Sequence, residues 1–290
     1  MVPHLVEVDL HLHTTHSDGT LTPRELVSLC SDKGLKVIAI TDHDSTEGIP
    51  EAMQAVASVQ NLEIIPGIEL STDLNGQEVH ILGYFVNHCD PKLQGMLNEL
   101  RDGRINRARV MVDKLSSIGV QISWNRVQEL SGGGAIGRPH IAQAIVEAKY
   151  AEYPKDAFDK YLGRGRPAYI GRSKLTPQSA IRLLIERGAF PVMAHPTFTL
   201  SEADRPNLSK VQPVVNELCR VGLVGMEVHY KDYTSKQIQT LADISYEAGL
   251  IPFGGTDYHA SGNPGEPEPG YIGPPMETVH RLKALRDHAK

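Results

Sequence analysis

Cysteine is scarce in this chain of 290 residues. Its 3 cysteines, Cys30, Cys89 and Cys219, are scattered and odd in number, with no C-x-x-C spacing. That excludes a disulfide framework and points to a reducing compartment, so a cytoplasmic location is expected. Long apolar runs are missing, which excludes a helical membrane span. The first stretch, "MVPHLVEVDLHLH", lacks the basic start and apolar core of a secretory signal. Internal repeats and low-complexity tracts are absent. So is any excess of positive charge: the net charge of −6 speaks against a general nucleic-acid binder. What remains, 40% hydrophobic and 22% charged residues, is the composition of a soluble globular protein. The length suits a single α/β barrel carrying an insertion. Neither a membrane nor a stable protein partner is expected.

The charge is unevenly spread. Residues 98–174 hold 14 Lys and Arg against 8 Asp and Glu, leaving 15 against 27 elsewhere. A basic segment in an acidic host suggests that the acids hold cations and the basic part meets an anion. A merely solvated helical face would look the same.

"LVEVDLHLH" alternates, with Val6, Val8, Leu10 and Leu12 on one face and Glu7, Asp9, His11 and His13 on the other. It reads as a strand with an unusually polar second face. "TPRELVSLCSDKG" reads as an amphipathic helix capped by Thr22, with Pro23 in its first turn. "LKVIAITDHD" is a buried strand and "GIPEAMQAVASVQ" a helix. "LEIIPGIELS" and "QEVHILGYFV" flank Asn75-Gly76, a strong hairpin signal. "AFPVMAHP", "LVGMEVHY" and "GLIPFGGTDYH" are further short strands, each ending in polar residues. About seven strands mostly alternating with helices favour a barrel-like α/β fold. From Leu97 to Gly171 only helical patterns occur: a long one in "NELRDGRINRARVMVDKLSSIG", then shorter ones from Asn125, Pro139 and Pro154. This gives a first barrel part (1–96), a helical insertion (97–171) and a second barrel part (172–290).

The chemistry gathers at strand ends. His11 and His13 share a strand face and can both reach one metal ion. His43, Glu69, His195, Asp257 and His259 end other strands, and the C-terminal ends of barrel strands are where active sites are built. A two-residue hairpin loop pairs Leu74 with Gln77, hence Ser71 with His80. Glu69 and His80 then become diagonal neighbours on one sheet face, close enough to share a metal.

In this order, "DLHLHTTHSDG", "ITDHD", "GIE", "VHILGY", "AHP" and "GTDYH" resemble the PHP family, named for polymerase and histidinol phosphatase domains. The resemblance implies a distorted (β/α)7 barrel, here with a helical insertion, and a cluster of three divalent metal ions. It assigns a first ion to His11, His13, Glu69 and Asp257. Glu69 would bridge to a second, which also takes His80 and His195. Asp18, His43 and His259 would hold a third, with Asp18 standing where some members have histidine. Mixed nitrogen and oxygen ligands suit Mn, with Fe or Zn as alternatives. His16 matches no role. Asp9, Asp42 and Asp44 look like partners that orient imidazoles.

Within the family, "GAIGRPHIAQAIVE" and "YLGRGRPAYIGRSKLTP" resemble the branch acting on nucleoside 3′,5′-bisphosphates and on the 5′ ends of short RNA. Pro139 as a first helical residue would set Arg138 and His140 at a helix N-terminus, where backbone N–H groups attract anions. Arg164 and Arg166 offer a second phosphate clamp, and Tyr169 a base or hydroxyl contact. The implied activity is hydrolysis of the 3′-phosphate of a nucleoside bisphosphate by a metal-bridged hydroxide. No Ser or Cys sits in an activated-nucleophile context. Trimming of short 5′-phosphorylated RNA or phosphatase action on AMP are alternatives, and a non-catalytic metal-binding module is a further one. Glu227 and His229 also end a strand, without an assigned role.

Overall fold

The computed structural model describes residues 6–74, 76–171, 175–200 and 207–289. Asn75 of the expected turn, and Arg172 and Lys174 of the basic segment, lie outside them. The alternating stretch forms β1 (Val8–Leu12), buried on both faces, so its polar side lines the interior of the barrel. Helix α1 (Pro23–Asp32) starts at Thr22, whose hydroxyl accepts from the Glu25 N–H while Glu25 reaches back to the Thr22 backbone. That reciprocal cap and the proline in the first turn stabilise its start. Then come β2 (Val37–Ile40), α2 (Ile49–Val56), β3 (Glu63–Leu74) and β4 (Gln77–Tyr84).

β3 and β4 form the expected hairpin, with Leu74 opposite Gln77, Ser71 opposite His80 and Glu69 opposite Leu82. Gly76 takes φ +80° in the turn, a conformation glycine adopts without strain. β5 (Phe190–Met193), β6 (Gly225–Tyr230) and β7 (Ile251–Gly255) complete a sheet ordered β1 to β7. The pairs β1–β2, β2–β3, β5–β6 and β6–β7 are parallel, whereas β3–β4 and β4–β5 are antiparallel. β7 returns to β1, where the His13 N–H donates to the Tyr258 carbonyl at 3.0 Å. Gly255 makes that approach possible: a Cβ there would lie 2.5 Å from the His11 backbone nitrogen. The result is a distorted, nearly closed seven-stranded barrel.

Between β4 and β5 the chain runs through α3 (Pro91–Ser117), α4 (Trp124–Leu130), α5 (Arg138–Glu147), α6 (Pro154–Ala157) and a π-helical turn at Phe158–Leu162. α3 starts well before Asn98, because the Asp90 carboxylate accepts from the Lys92 and Leu93 N–H groups and caps it. Met111, Leu115, Val127, Ile141, Ile145 and Leu162 pack into a core separate from those around the barrel. Helices α7 (Pro177–Glu186), α8 (Val211–Cys219), α9 (Ser235–Glu247) and α10 (Met276–His288) flank the second half of the sheet. Among the described residues, no helix is long and apolar enough to cross a membrane.

Candidate metal centre

One carboxylate organises the barrel mouth. Glu69 Oε2 lies 3.1 Å from His11 Nε2, 3.2 Å from His13 Nε2 and 3.1 Å from His43 Nδ1. Its Oε1 lies 2.7 Å from His80 Nδ1 and 3.1 Å from His195 Nε2. Asp257 Oδ1 completes the first set, 3.3 Å from His11 Nε2 and 3.1 Å from His13 Nε2. Asp18 sits 3.2 Å from His259 Nε2 and 3.7 Å from His43 Nε2. All nine residues expected to hold metal are thus brought together. Eight of them fall into three overlapping groups: His11, His13, Glu69 and Asp257; His13, Asp18, His43 and His259; and His43, Glu69 and His80, where His195 was expected in place of His43. The ninth, His195, meets Glu69 Oε1.

These spacings fit metal ions. Ligand atoms on a tetrahedral ion with bonds of about 2.0 Å lie about 3.3 Å apart, which matches the first set. His13 Nε2, Asp18 Oδ1 and His43 Nδ1 are buried without a hydrogen-bond partner. Buried polar atoms are seldom left so, and an ion would satisfy them. Burial alone would raise the Glu69 carboxyl, but the His43, His11 and His80 imidazoles outweigh it and hold the group well below the usual carboxylate range. Asp18 and Asp257 are likewise held down against burial, Asp18 mainly by His43 and His259, Asp257 mainly by Lys231 and His11. The centre therefore keeps its carboxylates ionised.

Burial lowers His13, but the Asp257 and Glu69 carboxylates beside its Nε2 overcome that and push it up to about 9. A ligating imidazole must be neutral, so metal has to displace this proton. The raised value favours the metal-free fold fully below the ordinary imidazole value, and this advantage is lost as pH rises through about 9. Mn²⁺ uptake should release protons at pH values below about 9, and affinity should climb with pH up to that value. Calorimetry in buffers of different ionisation heat measures this; uptake without proton release would contradict it.

The carboxylate that orients an imidazole is Glu227, to which the sequence assigned no role. It is fully buried on β6, with Oε1 3.0 Å from His11 Nδ1 and Oε2 accepting from the His195 N–H at 2.6 Å. Of the three aspartates expected in that role, Asp42 reaches an imidazole through Ser17, whose hydroxyl donates to it and lies 3.4 Å from His13 Nδ1, while Asp9 and Asp44 bind backbone and other side chains. Asp9 accepts from the N–H groups of His11, Thr256 and Gly270 and from the Thr256 hydroxyl. Asp42 accepts from the Thr14 N–H and from the Thr14 and Ser17 hydroxyls, fixing the loop that carries Asp18. Asp44 pairs with Arg104 at 2.6 Å and accepts from the Ser71 N–H. Tyr230 and Lys231 were also missed: the Tyr230 hydroxyl donates to Asp257 Oδ2 at 2.8 Å, and Lys231 Nζ donates to the Asp257 carbonyl at 2.7 Å. His195 (φ +24°) and Asp257 (φ +50°) hold left-handed backbone. Such strain persists where the surrounding structure enforces it.

Beside the centre lies a cavity of about 880 Å³, with His80 and His195 among its walls. Arg138, Arg164, Arg166 and Tyr169 also line it, as the sequence suggested. Arg138 bonds Glu78 at 2.6 Å, and its guanidinium lies 5.4 Å from the Phe158 ring centre and 5.9 Å from that of Tyr169. His140 does not line this cavity. α5 begins at Arg138, so Pro139 is its second residue, and His140 Nδ1 accepts from the Gly137 N–H at 3.0 Å, capping the helix. His229 is likewise outside the cavity walls. Arg104, not singled out by sequence, reaches from α3 to the barrel mouth and donates to the Ser71 hydroxyl at 2.9 Å.

Comparison with known proteins agrees with this geometry. A PHP domain matches residues 9–83. The 5′-3′ exoribonuclease Rnm of Escherichia coli is 32% identical over 254 residues, 87% of this chain and 84% of that protein. The 3′,5′-nucleoside bisphosphate phosphatase of Chromobacterium violaceum is 28% identical over 264 residues, 90% of each chain. A solved structure described as a metal-dependent phosphoesterase, from Bifidobacterium adolescentis, superposes with a TM-score of 0.84 at 29% identity, covering 98% of this chain and 97% of that one. With its histidines and carboxylates gathered around Glu69 at the barrel mouth, the chain belongs to the PHP family and is a metal-dependent phosphoesterase, a hydrolase.

Proposed function

We propose that this protein removes the 3′-phosphate from nucleoside 3′,5′-bisphosphates. The observation that carries the reading is the shared wall: His80 and His195 belong both to the Glu69 centre and to a cavity lined by Arg138, Arg164 and Arg166. The 28% identity to the C. violaceum phosphatase along 90% of both chains supports it. We assign three divalent ions, Mn before Fe or Zn, to the three residue sets given by the family resemblance. When bound, such ions polarise phosphoryl oxygens and activate water.

The chain's own groups do the rest. Glu69 offers one oxygen to each of two neighbouring sets, fixing their separation. Glu227 draws the His11 Nδ1–H toward itself and leaves Nε2 with its lone pair facing the centre. Arg138, held by Glu78 and set against two aromatic rings, presents a planar fork to a phosphate. Arg164 and Arg166 meet a second phosphate. Residues 97–171 then act as the specificity element, with 1–96 and 172–290 as the catalytic barrel. The 3 unpaired cysteines suit a cytoplasmic setting.

Removal of 5′ nucleotides from short 5′-phosphorylated RNA is a second reading. It is favoured by the likeness to Rnm over 87% of this chain and by a cavity of about 880 Å³, near the top of the usual range of about 300–1,000 Å³ for small-ligand sites. Phosphate or nucleotide release with Mn²⁺ from adenosine 3′,5′-bisphosphate, AMP and a 5′-phosphorylated trimer decides between them. Preference for the bisphosphate supports the first reading; mononucleotide release from the trimer supports the second. Arg138→Ala should raise KM for the bisphosphate about tenfold or more, since a charged hydrogen bond contributes about 1.5–3 kcal/mol. Steady-state kinetics check this, and an unchanged KM would remove Arg138 from the phosphate clamp.

A further inference from the structure

Each ligand of the third set, Asp18, His43 and His259, stands on a segment that the insertion grips. Beside His43, Asp44 pairs with Arg104 at 2.6 Å, and Glu47 further along pairs with Arg101 at 3.0 Å. The His259 N–H donates to Glu266 Oε1 at 3.1 Å, and in the same loop the Asn263 side chain accepts from the Lys155 N–H of α6 at 3.1 Å. The loop that carries Asp18 is held most closely. The Ala135 N–H donates to the His16 carbonyl at 3.2 Å, and a Cβ on Gly134 would lie 2.5 Å from the Thr15 carbonyl oxygen. His140 is buried beside Asp18 and the Ser17 backbone, and its Nδ1 accepts from the Gly137 N–H.

The first set is held from within the barrel. Glu227 bonds His11 Nδ1, and Tyr230 and Lys231 bond Asp257. The third site is instead a seam between barrel and insertion, and His140 spans it. As the third residue of α5 it closes the helix start on one side and meets the Asp18 loop on the other. Arg138 lies two residues before it, so one short segment seats both the phosphate clamp and the loop of a metal ligand.

We propose that His140 is a positioning residue of the third metal site: by docking the insertion on the Asp18 loop, it sets how tightly that site holds its ion. This rests on the assignment of three ions above. Removing a group that orients a ligand weakens metal binding about 10–100-fold, and here the loss falls on one ion of the three.

The test is Mn²⁺ titration of metal-free wild type, His140→Ala, His140→Gln and Gly134→Ala, with thermal unfolding recorded alongside. The wild type should bind three ions. In His140→Ala two should bind with wild-type affinity and the third about 10–100-fold more weakly. Glutamine at this helix position accepts from the capping residue's N–H and keeps a donor for the Ser17 backbone, so His140→Gln should restore the third ion. Gly134→Ala sets a methyl against the Thr15 carbonyl and leaves the α5 cap untouched. It should weaken the same ion, and it carries the test if His140→Ala does not fold. With the bisphosphate, His140→Ala should need about 10–100-fold more Mn²⁺ for half-maximal turnover and regain wild-type kcat at saturation. Loss spread over all three ions, unchanged affinity in His140→Ala and Gly134→Ala, or no recovery in His140→Gln would overturn the proposal. A wild type that takes two ions yet releases the 3′-phosphate would overturn it and leave the phosphatase reading intact. The expected titration pattern without bisphosphate turnover would support it and remove the phosphatase reading.

Discussion

Glu69→Gln should lose about a thousandfold or more in kcat, together with most of the bound metal. The scale is at least that of removing one preorganised electrostatic partner of a transition state. Glu69 contacts His11, His13 and His43 through one oxygen, and His80 and His195 through the other. Glutamine keeps the shape but turns one oxygen into a donor, so it can serve one ligand set and not both. It also removes the negative charge around which the imidazoles are arranged. Because the side chain is fully buried, no water can take its place. Metal analysis and turnover of the purified variant check this. Wild-type metal content with activity within tenfold would show that Glu69 is not the bridge.

Glu227→Gln should lower metal affinity or activity about 10–100-fold, as is usual for a residue that orients a ligand. Glu227 accepts on both sides, from the His195 N–H and, with the ligating tautomer, from His11 Nδ1. An amide can accept on one side only. If its NH₂ faces His11, the ring must carry its proton on Nε2, the atom that faces Glu69 and Asp257, and cannot ligate. If it faces His195, two donors oppose each other at a backbone with φ +24°. Mn²⁺ titration of the metal-free variant reads the first effect and thermal unfolding the second. Wild-type behaviour in both would make Glu227 an ordinary buried acid.

Most of the candidate ligands could be read because the signal is local: His11, His13, His43, His195, Asp257 and His259 stand in or just beyond a strand, where a run of apolar residues gives way to polar ones, whereas Asp18 came only from the family resemblance. Glu69 and His80 were legible by register alone, since a two-residue loop fixes which residues face each other. Glu227 was not. Its partner His11 lies 216 residues away, and only closure of β7 onto β1 brings β6 close enough. The available hint was an acid between Met226 and Val228 on a strand otherwise reading as core. Asp44 was misjudged for a similar reason: its partner Arg104 comes from the insertion, whose placement over the mouth no periodicity reveals. His140 lies one position further into α5 than expected, because Arg138 rather than Pro139 opens the helix, and it sits beside Asp18 and the Ser17 backbone rather than in the cavity wall. That shift gives the histidine the cap of its own helix and leaves Arg138 in the cavity.

The most direct measurement is phosphate release from adenosine 3′,5′-bisphosphate by chelator-stripped protein, before and after Mn²⁺ is returned, with the product identified. The account predicts no release from stripped protein and recovery with Mn²⁺, yielding the 5′-monophosphate. Release that persists without metal, or no release with Mn²⁺ restored, would contradict it.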